Sequence, residues 1–286
     1  MSDTVTVTEG VIYDTIDDID LRLDYAVPDT SRGNGGSVSR PIVLYIHGGA
    51  WLSGIRDGEG ERFILRRMAA AGFVAASTSY RFSSAATFPA QIHDVWAAVR
   101  WLRVHADELG ANPDRVGAWG HSAGGHLAAL LGLTAGRTEL GADSEPITAI
   151  VPISAPTDLS KMPEADNPGS HESLLLGATV AESRELADQA SPITYARAAG
   201  TAGSAGAAAA GAERVAGRSE GPAFLIIHGK DDELVPFAQA EEFHEALPGS
   251  SLFAVGGADH SFTRGSAGWP EIIAVAGAFF QTTLCR

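Results

Sequence analysis

A mostly parallel α/β sheet of about eight strands, covered by helices on both faces, is the architecture this sequence predicts. Three observations carry the prediction. Continuous apolar runs at 42–46 and 147–153 read as strands buried on both sides. Between such runs lie stretches whose apolar residues recur three and four apart, the period of a helix. The alternation of the two continues along 286 residues, enough for one large domain.

Taken in order, residues 4–8, 11–15 and 21–27 alternate apolar and polar, as expected of three antiparallel edge strands. A polar, glycine-rich turn follows at 31–39. The buried strand 42–46 comes next, then a helix over 60–71 and a strand over 73–79. Residues 90–106 form the clearest helix, with Ile92, Val95, Trp96, Val99 and Leu102 on one face. A short strand over 115–119 leads into a small-residue helix over 123–134. Strands at 147–153, 223–228 and 251–255 and helices at 236–246 and 270–282 complete the pattern. Two stretches break it. Residues 155–197 carry several prolines and no strand signal, as expected of an insertion or partial lid over one end of the sheet. Residues 198–221 are almost all Ala, Gly and Ser, a low-complexity loop with little to bury. The whole of 1–286 therefore reads as a single α/β domain carrying these two additions.

Acidic residues outnumber basic ones 35 to 20, for a formal charge of −15. Such a surface repels phosphate backbones and anionic lipid, which argues against nucleic acid or a membrane as partner. The single cysteine, Cys285, can form neither an internal disulfide nor a thiolate zinc cluster. The first residues show no basic and apolar leader pattern, and no run is long enough to cross a bilayer, so a cytoplasmic protein is expected. Oligomeric state is not encoded legibly. The apolar C-terminal helix, with Phe279 and Phe280, suits either core or interface.

Four short motifs each follow directly on an apolar strand. Gly120-His121-Ser122-Ala123-Gly124-Gly125 is a G-x-S-x-G pattern between a strand and a helix. A serine on that tight turn projects its hydroxyl above the strand ends, beside the positive end of the helix dipole. His47-Gly48-Gly49-Ala50-Trp51 is a loop of small residues able to turn backbone N–H groups toward a ligand. Acyl transfer needs such donors, because its tetrahedral intermediate carries an oxyanion, and each is worth on the order of 3 kcal/mol. Gly49 and Ala50 are the expected donors here, with Ala123 beside the serine as the third. His47 reads as a brace for the loop and Trp51 as a pocket wall. The third motif, from His228 through Asp231 and Asp232 to Pro236, offers two carboxylates able to orient a histidine, and spacing alone does not separate them. The fourth, Gly256 to Phe262, contains His260, which best fits the base among nine histidines. His121 and His126 read as bystanders to the proton transfer, with His121 a candidate contact for substrate.

Together these motifs resemble the α/β-hydrolase superfamily over nearly the whole chain, in its order of Ser, then Asp, then His. The H-G-G-x-W loop and G-H-S-A-G-G elbow look like its serine esterase branch of carboxylesterases, feruloyl and acetyl-xylan esterases and arylformamidases. The resemblance implies Asp232 as the acid, at the fifth position of an H-G-x-x-D-x-x-V-P stretch, and leaves Asp231 outside the triad. Tyr80-Arg81 and the stretch from Pro89 to Asp94 are similar to the same branch. The loop reads H-G-G-A-W where hormone-sensitive-lipase-like esterases usually show H-G-G-G. Fewer than ten residues precede Val5, so an N-terminal helical cap is not expected and a site open on that side is. What the branch implies is a carboxylesterase-type hydrolase acting on a small-molecule ester through Ser122, Asp232 and His260, without metal or organic cofactor. An amidase or arylformamidase acting through the same triad is the alternative.

Overall fold

The computed structural model describes residues 5–29, 39–143, 145–201 and 221–285. Eight strands form one sheet in the order β1-β2-β4-β3-β5-β6-β7-β8. The strands β1 (Val5–Ile16), β2 (Ile19–Pro28) and β4 (Val74–Thr78) pair antiparallel. Outward from β4, the strands β3 (Arg40–Ile46), β5 (Ala111–His121), β6 (Ala149–Ile153), β7 (Ala223–Gly229) and β8 (Ser251–Val255) are all parallel. Parallel neighbours require crossovers, and each crossover lays a helix on one face.

The continuous apolar run of β3 shows why both faces are covered. Side chains alternate across a strand, so Ile42, Leu44 and Ile46 enter one core and Val43 and Tyr45 the other. The first core is closed by α2 (Ala90–Val104), α3 (Ala106–Leu109), α4 (Ala123–Leu133) and α8 (Ala238–Ala246), together with the insertion helices described below. The second is closed by α1 (Glu59–Ala70) and α9 (Trp269–Leu284). Phe280 of α9 is buried edge-on against Trp119 of β5 and Phe73, which makes that aromatic part of the core. Among the described residues no helix is long and apolar enough to cross a membrane.

The structure corrects several expected boundaries. The first two expected strands are one, β1, with a bulge where Gly10 takes φ +71° and its N–H donates to buried Asp24 at 2.6 Å. The bulge reads in sequence as a break because it interrupts alternation without ending the ladder. The strand expected at 115–119 starts at Ala111, since Arg40 pairs with Ala111 before the register shifts at Pro41. The helix expected over 90–106 stops at Val104, and α3 follows as a separate turn. The turn at 31–39 and the Ala/Gly stretch at 198–221 lie mostly outside the described residues.

The stretch 155–197 contains α5 (His171–Leu176), α6 (Arg184–Ala190) and the start of α7 (Pro192–Thr201), and no strand. Leu159, Leu175, Leu176 and Ile193 bury it in the first core, and hydrogen bonds tie it to the neighbouring helices and loops. The buried Gln239 of α8 accepts from the N–H groups of Thr157 and Asp158 at 2.8 and 2.7 Å and donates to the Asp158 carbonyl at 2.9 Å. The Phe88 N–H donates to the Leu175 carbonyl at 2.8 Å.

Candidate active site

Ser122 stands between the last residue of β5 and the first of α4, at φ +55° and ψ −121°. A side chain in that region costs of order 1–3 kcal/mol, so the surroundings must impose it. They do so through close approach. The Ser122 N–H donates to the Ile153 carbonyl of β6 at 2.8 Å. A Cβ on Gly124 would lie 2.0 Å from the Ile46 carbonyl oxygen, and one on Gly120 would lie 2.5 Å from the same atom. Only glycine at both positions lets the turn seat against the end of β3. Ser122 lines a cavity of about 1150 Å³ above these strand ends.

The loop after β3 lies against this turn. A Cβ on Gly48 would come 2.9 Å from the His121 carbonyl oxygen and 3.4 Å from Ser122 Cβ. Gly49, Ala50 and Trp51 all have positive φ, at +117°, +53° and +58°. The Gly49 carbonyl accepts from the N–H groups of Leu52 and Ser53, both at 3.0 Å, which closes the loop on itself. The N–H groups of Gly49, Ala50 and Ala123 donate to no acceptor among the described residues. All three residues line the cavity with Ser122.

Asp232 and Asp231 part company here. Asp231 is exposed, whereas Asp232 is buried and its Oδ2 accepts from His260 Nδ1 at 2.7 Å. The other oxygen accepts from the N–H groups of Leu234 and Val235 at 3.0 and 2.9 Å. Burial works to raise the pKa of this carboxyl, but the donors from His228, His260 and Val235 outweigh it and hold the pKa well below the ordinary carboxylate range. The Nε2–H of His228 is shared between the Val235 carbonyl at 2.9 Å and Asp232 Oδ2 at 3.2 Å. The sequence motif assigns no role to His228. The one available signal was its place four residues before Asp232, at the end of β7.

The His260 loop is tied to the acid loop by backbone bonds. Lys230 N–H donates to the Val255 carbonyl at 2.9 Å and Asp231 N–H to the Ala258 carbonyl at 3.0 Å. The His121 Nε2–H donates to the carbonyl of His260 at 2.8 Å, and its ring lies 4.8 Å from that of His260 and 5.3 Å from Trp269. Burial, and then the neighbouring His260, push His121 down to about 4, so it is neutral near pH 7. Ser122 and His260 line the same cavity without a hydrogen bond between them in this conformation. Such contacts are often long before substrate binds.

His47 and His126 are structural braces. His47 stacks on Tyr80 with ring centroids 4.6 Å apart, and its Nδ1–H donates to the Gly48 carbonyl at 2.7 Å. Burial lowers its affinity for a proton. The Nδ1 of His126 accepts from the Trp51 indole N–H at 3.2 Å, while its Nε2–H donates to the Ala190 carbonyl at 2.6 Å. That pattern needs the neutral ring, and burial accordingly pushes it down to about 4. Trp51 and His121 both line the cavity, each with its ring N–H already engaged by protein. Among the described residues no group of three or more His, Cys, Asp or Glu is placed to hold a metal ion.

Known proteins share this arrangement of elements. The chain is 33% identical over 236 residues to Esterase LipC of Mycobacterium tuberculosis, covering 78% of this chain and 53% of that protein. It is 31% identical to the Probable carboxylic ester hydrolase LipM of the same organism, over 78% of this chain and 48% of that one. The chain thus spans about half the length of the curated relatives it matches. Its structure is similar to that of a thermophilic esterase from Thermogutta terrifontis solved with propionate. The TM-score is 0.71 and the identity 26%, over 96% of this chain and 93% of the other. A truncated carbohydrate esterase from gut microbiota shares the fold at TM-score 0.78 and 23% identity, over 100% and 99% of the two chains. The sheet order, the crossovers and these likenesses make the fold that of an α/β-hydrolase. The BD-FAE family model matches residues 29–202, from the end of β2 through the elbow and the insertion, and the chain belongs to that family.

Proposed function

We propose that the protein is a serine carboxylic-ester hydrolase that works through an acyl-enzyme. The observation that carries this reading is the 2.7 Å bond from His260 to buried Asp232, on a cavity shared with Ser122. Ser122 Oγ attacks the ester carbonyl carbon while His260 Nε2 takes its proton. The Asp232 carboxylate holds the proton on Nδ1, which keeps Nε2 free to accept, and it stabilises the imidazolium that results. The oxyanion is met by the N–H groups of Gly49, Ala50 and Ala123. The C–O bond to the alcohol then breaks, and the alcohol leaves with the proton from His260. Water gives a proton to His260 and attacks the acyl carbon, and the acid and Ser122 are released.

The esterase names of the relatives and the size of the cavity support small or medium esters as substrates. The Thermogutta terrifontis esterase was solved with propionate and with butyrate, so short acyl chains are the natural first panel. The test is turnover of nitrophenyl acetate and butyrate beside N-formyl-arylamines, with fluorophosphonate labelling read by mass spectrometry. Ester turnover with one label, on Ser122, is expected. Preferential cleavage of the formamide would move the reading to an amidase, and absence of labelling would remove it.

A further inference from the structure

The charge of the cavity is one-sided. Glu61, Glu164, Glu172 and Glu233 line it, and among the described residues no lysine or arginine does. Three of these glutamates are at least partly open to solvent, but Glu172 is only 5% exposed. It makes no hydrogen bond or ion pair with any described residue. Its position is fixed by neighbours that are fully engaged. The Ser173 N–H donates to Ser170 Oγ at 3.1 Å, the Ser173 hydroxyl donates to the Asn167 carbonyl at 2.8 Å, and the Leu175 carbonyl holds the Phe88 N–H. Glu172 therefore sits on a hydrogen-bonded turn of the insertion and lines the cavity that contains Ser122.

A carboxylate only accepts hydrogen bonds, and one mostly enclosed by protein, with no protein donor or cation, must find its donors on the open side, which here is the cavity. A substrate group that supplies a donor gains a charge-assisted bond, about twice as strong as a neutral one. A substrate group bearing negative charge meets repulsion that solvent screens poorly. Resting on the esterase reading above, we propose that Glu172 is a specificity-determining residue. It takes an ammonium or hydroxyl group on the substrate, and the cavity turns away anionic esters.

The experiment measures kcat/KM for five butyrate esters with wild type, Glu172→Gln and Glu233→Gln. The alcohols are choline, its uncharged isostere 3,3-dimethylbutanol, 1,4-butanediol, n-butanol and 2-hydroxyethanesulfonate. Two ratios are read, choline to dimethylbutyl for the cation and hydroxybutyl to butyl for the hydroxyl. In the wild type at least one ratio is expected near tenfold or above, the scale of a single good polar contact. That ratio falls at least about fivefold in Glu172→Gln and less than about twofold in Glu233→Gln, and it names the source of the donor. The sulfonate ester is the poorest substrate and improves in Glu172→Gln. Wild-type ratios both near one overturn the proposal without recourse to any variant. So does an unchanged ratio in folded Glu172→Gln, or a sulfonate ester as good as the butyl ester. In those outcomes n-butyl butyrate is still hydrolysed, so the esterase reading survives. No turnover of any ester, with no labelling of Ser122, removes that reading and this proposal with it.

Discussion

The loops after β5, β7 and β8 and the helical insertion after β6 line one cavity, but they are held in different ways. The strand-end loops are fixed by backbone bonds to the sheet and to each other. Ser122 is tied to Ile153, Lys230 to Val255 and Asp231 to Ala258. Their reactive atoms thus inherit the rigidity of the most buried strands. The insertion is held to neighbouring helices and loops by side chains and a few carbonyls, such as those of Gln239, His126 and Leu175. A change in the first region should alter the chemistry, and a change in the second should alter what the chemistry acts on.

The sharpest test of that contrast is Ser122→Ala, which should fold and lose about five or six powers of ten in kcat, leaving only what binding and the oxyanion donors supply. Retention of even a tenth of the rate would place the chemistry elsewhere. His260→Gln should lose a similar share, together with the acid limb of kcat/KM. His121→Asn and His126→Asn should keep any limb between about pH 5 and 8, because both rings are pushed down to about 4 and are already neutral there. A limb that disappears with His121 would make that histidine the base.

Next in size is the pair Asp232→Asn and Asp231→Asn. The first removes the acceptor that fixes the tautomer of His260, for a loss of about 10⁴ in kcat. The second lies on an exposed side chain and should change the rate less than about threefold, within the range of ordinary surface substitutions. Similar losses in both would break the link drawn from the 2.7 Å bond to function.

A third comparison uses stability, because His126, on the helix that follows Ser122, bonds to the insertion at Ala190 and to the loop after β3 at Trp51. Its folded value of about 4 lies below the unfolded value of about 6.5, so the folded state favours the neutral ring. The contribution is fully present above pH 6.5 and is lost as pH falls toward 4, by up to about 3 kcal/mol. Urea midpoints for wild type should therefore drop between pH 7 and 5, and His126→Gln should show a shallower drop from a lower start. Parallel curves would mean that the ring is not the titrating group.

The smallest effect expected is at the insertion wall. Met162→Ala enlarges the cavity at one side and should shift preference among alcohol or acyl lengths by about tenfold or less, as a few methylenes do. Its kcat on the shortest ester should stay within about threefold. A loss of several powers of ten there would show that the insertion takes part in the chemistry.

Much of this was legible in the chain because the signals are local. An apolar run of five residues becomes a doubly buried strand wherever it sits, and glycines two before and two after a serine permit one kind of turn. The sheet, the turn at Ser122 and the small-residue loop at Gly49 and Ala50, proposed here as oxyanion donors, are therefore written in short segments. The bulge at Gly10 misled the reading of β1, since a break in alternation does not say whether the partner strand continues.

What only the tertiary structure decided depends on where distant segments lie. Spacing left Asp231 and Asp232 equal, and resemblance alone pointed to the second. In the fold one carboxylate is buried against a histidine 28 residues away and the other faces solvent. His228 showed only its place in a motif and Glu172 showed nothing, because burial of a polar group is a property of its neighbours rather than of its own sequence. The strand ends of β7 and β8 bring His228, Asp232 and His260 together, and the insertion carries Glu172 into the wall of the cavity that contains Ser122. Local pattern selects the elements. Their packing sets which charged groups lose water, and that determines which of them can act on a substrate.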